Sequence, residues 1–207
     1  MSSISYKKSS QTAIRDWLYQ CSWSNPFAVT LNLKQAVSTE ANNGRASISL
    51  TDQLAAQNLR HFLNRLGKCY LGNAARRHGK KLPIIPALEG GNGHRLHYHL
   101  IIDLPVSVTL DEVYPLFISE WTKTQWGYGQ VHIQPCRDEG WLNYITKLKS
   151  KIDVGESIDW MNLYHPSLQA HWEPLVAGYR PLPHSNRIKL IKGHRLIVLD
   201  LQLYLNS

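Results

Sequence analysis

The chain has 207 residues, of which 43% are hydrophobic and 18% charged, a composition typical of one globular domain with an extension and too short for two full domains. No apolar run approaches the ~20 residues that a bilayer requires, and the polar N-terminus does not resemble a signal peptide, so we expect an intracellular protein with no membrane partner. The net charge of +8 favours a polyanionic partner.

Helical and strand-like patterns alternate along most of the chain. Apolar spacing predicts helices over 11–19, 51–70, 109–125 and 138–151, and alternation predicts strands over 27–34, 82–89, 96–103 and 129–135. Two prolines place strand 82–89 at a sheet edge, and residues 72–81 are predicted to form a basic loop. Residues 187–205 are predicted to form a β-hairpin around Gly193.

The order β-α-β-β-α-β-α predicts an α+β fold, a ferredoxin-like or RRM-like antiparallel sheet with helices packed on one face. On three of the four strands the residues divide into an apolar and a polar face, as a sheet covered on one side requires. The polar face would display Thr30, Asn32, His97, His99, His132 and Gln134. We expect the main domain to span 1–151, with 152–207 as a C-terminal extension packed on it.

A first chemical pattern is Glu89, seven residues, then His97-Tyr98-His99. Histidines two apart on a strand point the same way, ~7 Å apart along the chain, so both rings can reach one ion. Glu89 lies on the preceding strand, across a glycine-rich turn, and can add an oxygen ligand. Two histidines and a carboxylate predict a catalytic site for a divalent metal, with Mn²⁺ or Mg²⁺ as candidates.

A second pattern is Tyr144-Ile145-Thr146-Lys147 in the predicted last helix. Helix positions three apart are neighbours, so the Lys147 ammonium can lie beside the Tyr144 phenol. A free phenol is a poor nucleophile, and a nearby cation that favours phenolate would activate it. The alternative is a half-buried tyrosine beside a solvated lysine.

Other polar and basic residues are candidates for DNA contact. Thr30 and Asn32 in Phe27-x-x-Thr30-Leu31-Asn32 can hydrogen-bond a backbone or a base, or they can be solvated sheet residues. The basic loop could bind DNA phosphates, act as a nuclear localisation signal or be solvated charge, and we favour DNA contact. The full set of predicted DNA-binding residues is Thr30, Asn32, Arg76, Arg77, Lys80, Lys81, His132, Gln134 and Lys151.

In chain order these patterns resemble the three motifs of the HUH endonuclease superfamily. FAVTLN is similar to motif 1, LEGGNGHRLHYHLII to motif 2 with its histidine-hydrophobic-histidine core, and YITK to motif 3. The resemblance spans residues 26–151 and is greatest to rolling-circle replication initiator (Rep) proteins of plasmids, phages and circular single-stranded DNA viruses.

The resemblance implies a mechanism. A divalent ion held by Glu89, His97 and His99 would polarise the scissile phosphate, Tyr144 would attack it to give a 5′-phosphotyrosine link, and Lys147 would orient the phenol. The substrate would be unpaired DNA, as in an origin hairpin or melted origin. The sequence has no GxxxxGK[ST] loop, so unwinding would require a host helicase. The expected location is the cytoplasm of a microbial host, or the nucleus for a eukaryotic virus.

Two alternatives remain. A single-tyrosine HUH transposase or a relaxase would share the motifs, although transposases of this type commonly carry glutamine where this chain has Lys147. A non-catalytic RRM-like module would need stacking aromatics on the open sheet face, whereas Phe27 and Tyr98 are predicted on the buried face. Tyr164 is a second possible nucleophile in the extension, but Tyr144 has the better setting.

Overall fold

The computed structural model describes residues 3–41, 44–91, 93–138, 140–147 and 154–168, all within one compact unit of residues 1–168. The hairpin predicted for 187–205, and Lys151, lie outside the described residues. The proposed division of the chain at 151/152 therefore stays a prediction.

The central element is an antiparallel sheet of four strands, which confirms the α+β class. The strands are β1 (Pro26–Leu33), β2 (Ala36–Ala41), β3 (Gly44–Ser49), β4 (Ile84–Gly91), β5 (His94–Asp103) and β6 (Gly127–Pro135). The helices are α1 (Ser3–Leu18), α2 (Asp52–Leu71), α3 (Asn73–His78), α4 (Leu110–Thr122), α5 (Gly140–Ile145) and α6 (Val154–Ser157). The sheet order is β4-β5-β1-β6, so the proline-bearing strand lies at an edge, as predicted.

One face of the sheet packs against α2 and α4, as the alternation of the strands predicted. The apolar positions of β1 and β5 point to this side, and the two helices cover them with Leu59, Phe62, Phe117 and Trp121. The hydroxyl of Thr51 accepts a hydrogen bond from the Leu54 amide at the start of α2. The buried sheet residues are Phe27, Val29, Leu31, Tyr98, Leu100 and Ile102.

The opposite face also carries a partial cover. A second apolar cluster joins α1, α5 and residues 154–168 to the inner part of this face. Ile85 and Ile101, both almost fully buried, are the sheet residues at its centre. Because these isoleucines share the face of the histidines, that face has an apolar half that needs a cover and a polar half that does not. The one-sided packing expected from the sequence thus describes α2 and α4, and the second cluster adds to it.

Three local elements differ from the prediction. Strands β2 and β3 form an unpredicted hairpin between β1 and α2. The predicted basic loop contains a short helix, α3, which ends where Gly79 adopts a left-handed conformation (φ 61°). The last predicted helix, 138–151, is helical over Gly140–Ile145 and then turns, and residues 148–151 are outside the described part. Among the described residues, no helix has the length and apolar character needed to cross a bilayer.

Candidate active site

The register of the sheet brings the predicted metal ligands together on one face. Glu89 of β4 is the cross-strand partner of His97 of β5, and His99 lies two residues further along the same strand. On the other side of β5, Asn32 pairs with His97 and Thr30 pairs with His99. The short glycine-rich turn between β4 and β5 sets this register, because it lets the two strands pair almost to their ends.

The three predicted ligands converge on one point. One ligand atom from each of Glu89, His97 and His99 lies within 4.8 Å of the other two. The two histidine Nε2 atoms are 3.0 Å apart, and Nε2 of His99 is 3.9 Å from Oε2 of Glu89. Bonds from a divalent ion such as zinc to nitrogen or oxygen are about 2.0–2.2 Å long. Atoms 3.0 or 3.9 Å apart can therefore bind the same ion.

Outer contacts orient both imidazole rings. Nδ1 of His97 lies 2.9 Å from the carbonyl oxygen of Arg95. A carbonyl can only accept, so this Nδ1 carries the proton and Nε2 presents its lone pair toward His99. Nδ1 of His99 is 2.9 Å from the hydroxyl of Thr30. When the threonine accepts this bond, both Nε2 lone pairs face the same point, which is how histidines bind a metal.

Burial in the site is graded. Glu89 and His99 are 8% and 6% exposed, whereas His97 is half-buried. A cation held here would be shielded from bulk water on the sheet side and open on the side of His97. A mixed nitrogen and oxygen donor set with an open side is typical of catalytic metal sites, and structural sites are closed.

The predicted nucleophile lies directly beside these ligands. The ring centroid of Tyr144 in α5 is 5.0 Å from that of His99, with the planes nearly perpendicular (87°). Nζ of Lys147 lies 3.3 Å from the centroid of the Tyr144 ring, so the ammonium contacts the ring face. Tyr144 is 40% exposed, which leaves it accessible to a substrate. The predicted proximity of Tyr144 and Lys147 is thus present, as a cation–π contact.

Trp141 holds the tyrosine ring in place. Its indole stacks on Tyr144, with centroids 5.0 Å apart and planes within 12°, and it makes an edge contact with His99 at 5.5 Å. Its Nε1 donates to the carbonyl oxygen of Leu100 at 3.1 Å. The sequence indicated Trp141 only as part of a buried stripe, but Leu142 is the buried residue and Trp141 is half-buried. The spacing of three residues from Tyr144 was the available signal.

Helix α1 braces the end of α5 from outside. Gln11 Nε2 donates to the Thr146 carbonyl oxygen at 2.8 Å, and Arg15 Nε donates to the Thr146 hydroxyl at 3.1 Å. Tyr19 donates its hydroxyl to Asn143 Oδ1 at 2.8 Å. The three donors are spaced four residues apart and so follow one side of the helix. Nothing in the sequence pattern of α1 indicated this contact, since its partners lie more than 120 residues away.

Tyr98, between the two histidines, points to the opposite face. It is fully buried and donates its hydroxyl to Oδ2 of Asp159 at 3.0 Å. Burial, together with the neighbouring Asp159 carboxylate, raises the pKa of Tyr98 far above its usual value. Tyr98 therefore stays neutral and ties β5 to residues 154–168, which makes it part of the scaffold under the site.

The predicted DNA-binding residues divide into two groups. Thr30, Asn32, His132 and Gln134 share the face of the histidines, since Thr30 pairs with both His99 and His132 across the sheet. His132 and Gln134 are exposed, while Thr30 and Asn32 are half-buried, with side chains bonded to His99 and to the Gln130 carbonyl oxygen. The exposed basic residues Arg76, Arg77, Lys80 and Lys81 follow α2 instead, at the far end of β4 from Glu89.

The second tyrosine is far from this chemistry. Tyr164 bridges to Ile84 at the beginning of β4 and packs against the core under α2 and α4. Nζ of Lys81 lies 5.7 Å from its ring centroid. Five residues of strand, about 17 Å at 3.3 Å per residue, separate Ile84 from Glu89. Tyr164 therefore has no place beside the metal ligands.

The comparison with family models agrees with this geometry. Residues 27–153, more than half of the chain, match a family model described as that of the replication-associated protein ORF2. The matched segment contains the whole four-stranded sheet except Pro26, all three candidate ligands and Tyr144. No curated protein and no solved structure gives a significant match to the chain.

Proposed function

This chain belongs to the family of the replication-associated protein ORF2, and from that premise we propose that it is a rolling-circle replication initiator that nicks and rejoins single-stranded DNA, with Tyr144 as the nucleophile. The observation that carries the proposal is the contact between Tyr144 and His99, with ring centroids 5.0 Å apart. It places a nucleophile at a cluster of three potential metal ligands, a pairing that packing alone does not require.

The donor set fits a divalent cation. Glu89, His97 and His99 would hold the ion, and hard oxygen and imidazole ligands suit Mn²⁺ or Mg²⁺. When bound, such an ion supplies Lewis-acid polarisation of a phosphoryl oxygen. Thr30 and the Arg95 carbonyl would keep the two imidazole rings turned toward the ion, as outer partners of metal-binding histidines do.

Tyr144 would carry the covalent chemistry. Its phenolic oxygen attacks the scissile phosphorus, a new phosphorus–oxygen bond forms to tyrosine, and the bond from phosphorus to the 3′ oxygen breaks. The phenol loses its proton and the departing 3′ oxygen gains one, which gives a 5′-phosphotyrosine and a free 3′-OH. Since one phosphodiester replaces another, a later 3′-OH can reverse the reaction and reseal a strand.

Lys147 and Trp141 would position the phenol. The Lys147 ammonium over the Tyr144 ring stabilises negative charge on the phenolate and on a nearby phosphate. The stacked indole of Trp141 restricts the ring on the side of the sheet. Together these contacts would keep the oxygen near the phosphate before the reaction, which lowers the entropy cost of attack.

The substrate would be unpaired DNA at an origin hairpin or a melted origin. The exposed side chains of His132 and Gln134 offer hydrogen bonds to a strand lying over the histidine face. The sequence carries no P-loop motif, and we infer that a host helicase opens the duplex.

A covalent-adduct assay tests the proposal. Purified protein is incubated with Mn²⁺ and single-stranded oligonucleotides, random or origin-derived, and run on a denaturing gel. We expect a protein–DNA adduct that disappears with EDTA and in Tyr144→Phe, and that persists in the matched control Tyr164→Phe. An adduct retained by Tyr144→Phe would refute the assigned nucleophile. DNA binding that is independent of chelator, with no adduct on any sequence, would identify a non-catalytic binding module instead.

A further inference from the structure

A cation–aromatic pair lies on the histidine face, at the end of the sheet beside His97. The guanidinium carbon of Arg95 is 4.8 Å from the ring centroid of Tyr128. Arg95 lies two residues before His97 on β5, so its side chain emerges on the same face. Tyr128 is near the start of β6, two strands away from β5 in the sheet. The pair therefore spans the sheet next to the candidate metal ligands.

Both side chains are open to solvent. Tyr128 is 42% exposed even with the guanidinium against its ring, and Arg95 is exposed. Tyr70 and Tyr98 are more buried, and their pKa values are raised by that burial. An exposed aromatic ring on a rigid strand, with a planar cation beside it, presents a flat surface that packing of this chain does not use.

The chemistry of this surface matches an unpaired nucleobase. Bases of single strands stack on aromatic rings and on guanidinium planes, while arginine donors also bind backbone phosphates. The carbonyl of Arg95 orients His97, so the guanidinium and the metal-ligand ring belong to one short segment of β5. A strand whose phosphate lies at His97 would have a neighbouring base within reach of this pair.

We propose that Tyr128 and Arg95 form a stacking platform for one unpaired base of a single-stranded DNA substrate, adjacent to the phosphate that reacts. The proposal rests on the proposed function for its substrate, but it concerns binding and requires no cleavage. The ring supplies stacking, which tolerates any base, and the guanidinium supplies attraction to phosphate. The aromatic surface that the strand patterns placed only on the buried face is thus also present on the open one.

Binding of two matched probes in EDTA tests the platform. Fluorescein-labelled dT12 and a 12-mer of abasic residues carry the same phosphates, and only the first has bases to stack. We expect Tyr128→Ala to weaken dT12 binding by about five-fold to one-hundred-fold, the range for loss of one base-stacking contact, and to leave binding of the abasic 12-mer unchanged. Arg95→Gln should weaken both probes, because it removes a phosphate contact.

Two control variants keep the test specific. Tyr114→Ala removes a tyrosine of similar exposure (46%) on α4, behind the opposite face of the sheet, and should change neither probe. Arg45→Gln removes one exposed positive charge from the β2–β3 hairpin and measures the effect of net charge alone. Equal losses for Arg45→Gln and Arg95→Gln would show that Arg95 acts only through net charge and would overturn its role.

The outcomes separate this proposal from the nuclease assignment. Wild-type affinity of Tyr128→Ala for dT12 overturns the platform, even when wild-type protein forms the Tyr144 adduct. A preference for dT12 that depends on Tyr128 supports the platform, even when no oligonucleotide gives an adduct and the nicking function fails. Folding of each variant is checked by its thermal unfolding midpoint, which these exposed positions should leave near that of wild type.

Discussion

Replacing Trp141 by leucine should slow the attack by Tyr144 without weakening metal binding. The indole makes two contacts that hold the tyrosine in place, the stack on Tyr144 and the hydrogen bond to the Leu100 carbonyl oxygen at 3.1 Å. It supplies no ligand to the cluster of Glu89, His97 and His99. Positioning and metal binding can therefore be separated at this residue.

The size of the effect follows from these two contacts. An aromatic pair contributes about 0.5–1.5 kcal/mol beyond its buried area, and a hydrogen bond contributes about as much. If both act in the transition state, their sum of about 1–3 kcal/mol corresponds to a five-fold to roughly one-hundred-fold slower reaction. Trp141→Phe keeps an aromatic ring but loses the donor, so its rate should fall only about two-fold to ten-fold.

The assay is single-turnover formation of the covalent adduct at saturating Mn²⁺, with Mn²⁺ affinity measured separately by calorimetry. Trp17→Leu is the matched control, since Trp17 is also half-buried and contacts another ring, Trp160, at 5.7 Å. It should react at the wild-type rate. A wild-type rate for Trp141→Leu, or a parallel loss of Mn²⁺ affinity, would show that the indole does not position the tyrosine.

Three further outcomes test the site and the scaffold. Mn²⁺ at about one hundred times its dissociation constant should stabilise the wild-type fold by about 2.7 kcal/mol, and His97→Ala should abolish this shift in thermal unfolding. Asn58→Ala should lower the free energy of unfolding in urea by about 1–3 kcal/mol, because its buried amide bonds the Thr124 hydroxyl and the Trp126 amide; a neutral result would refute this. Hydrogen bonds from Lys123, and secondarily Arg65, lower the pKa of Glu120 below its ordinary 4.5. A lowered folded pKa gives stability that is present above 4.5 and lost as the pH falls further, so Glu120→Gln should flatten the acid limb of a stability–pH curve.

Strand patterns predicted the sheet well because each strand has one face buried against α2 and α4. β1 and β5 alternate almost perfectly, and their boundaries differ from the prediction by one or two residues. The β2–β3 hairpin was not predicted because most of its residues are exposed, so little apolar alternation marks it. Its Glu40 and Arg45 face each other across the strands, a signal visible only once the pairing is known.

The candidate site was predictable where it depends on local geometry. The positions of His97 and His99 on one face follow from the period of a strand, and Glu89 joins them through the register of a short turn. The brace from α1 and the Arg95–Tyr128 pair depend on contacts between distant segments. Side-chain exposure of Tyr128 also could not be inferred, because a tyrosine in an alternating strand fits either face equally well.

The partial cover of the histidine face determines how a substrate can reach the site. Helices α1 and α5 and residues 154–168 pack on Ile85, Ala87 and Ile101, which belong to β4 and β5. On β6 the same face carries exposed His132 and Gln134 and the exposed ring of Tyr128. A strand that contacts both His97 and Tyr144 therefore has its open approach over β6, because the β4 side is closed by apolar packing. The residues that cover one half of this face to stabilise the fold thus also select the direction from which DNA would enter.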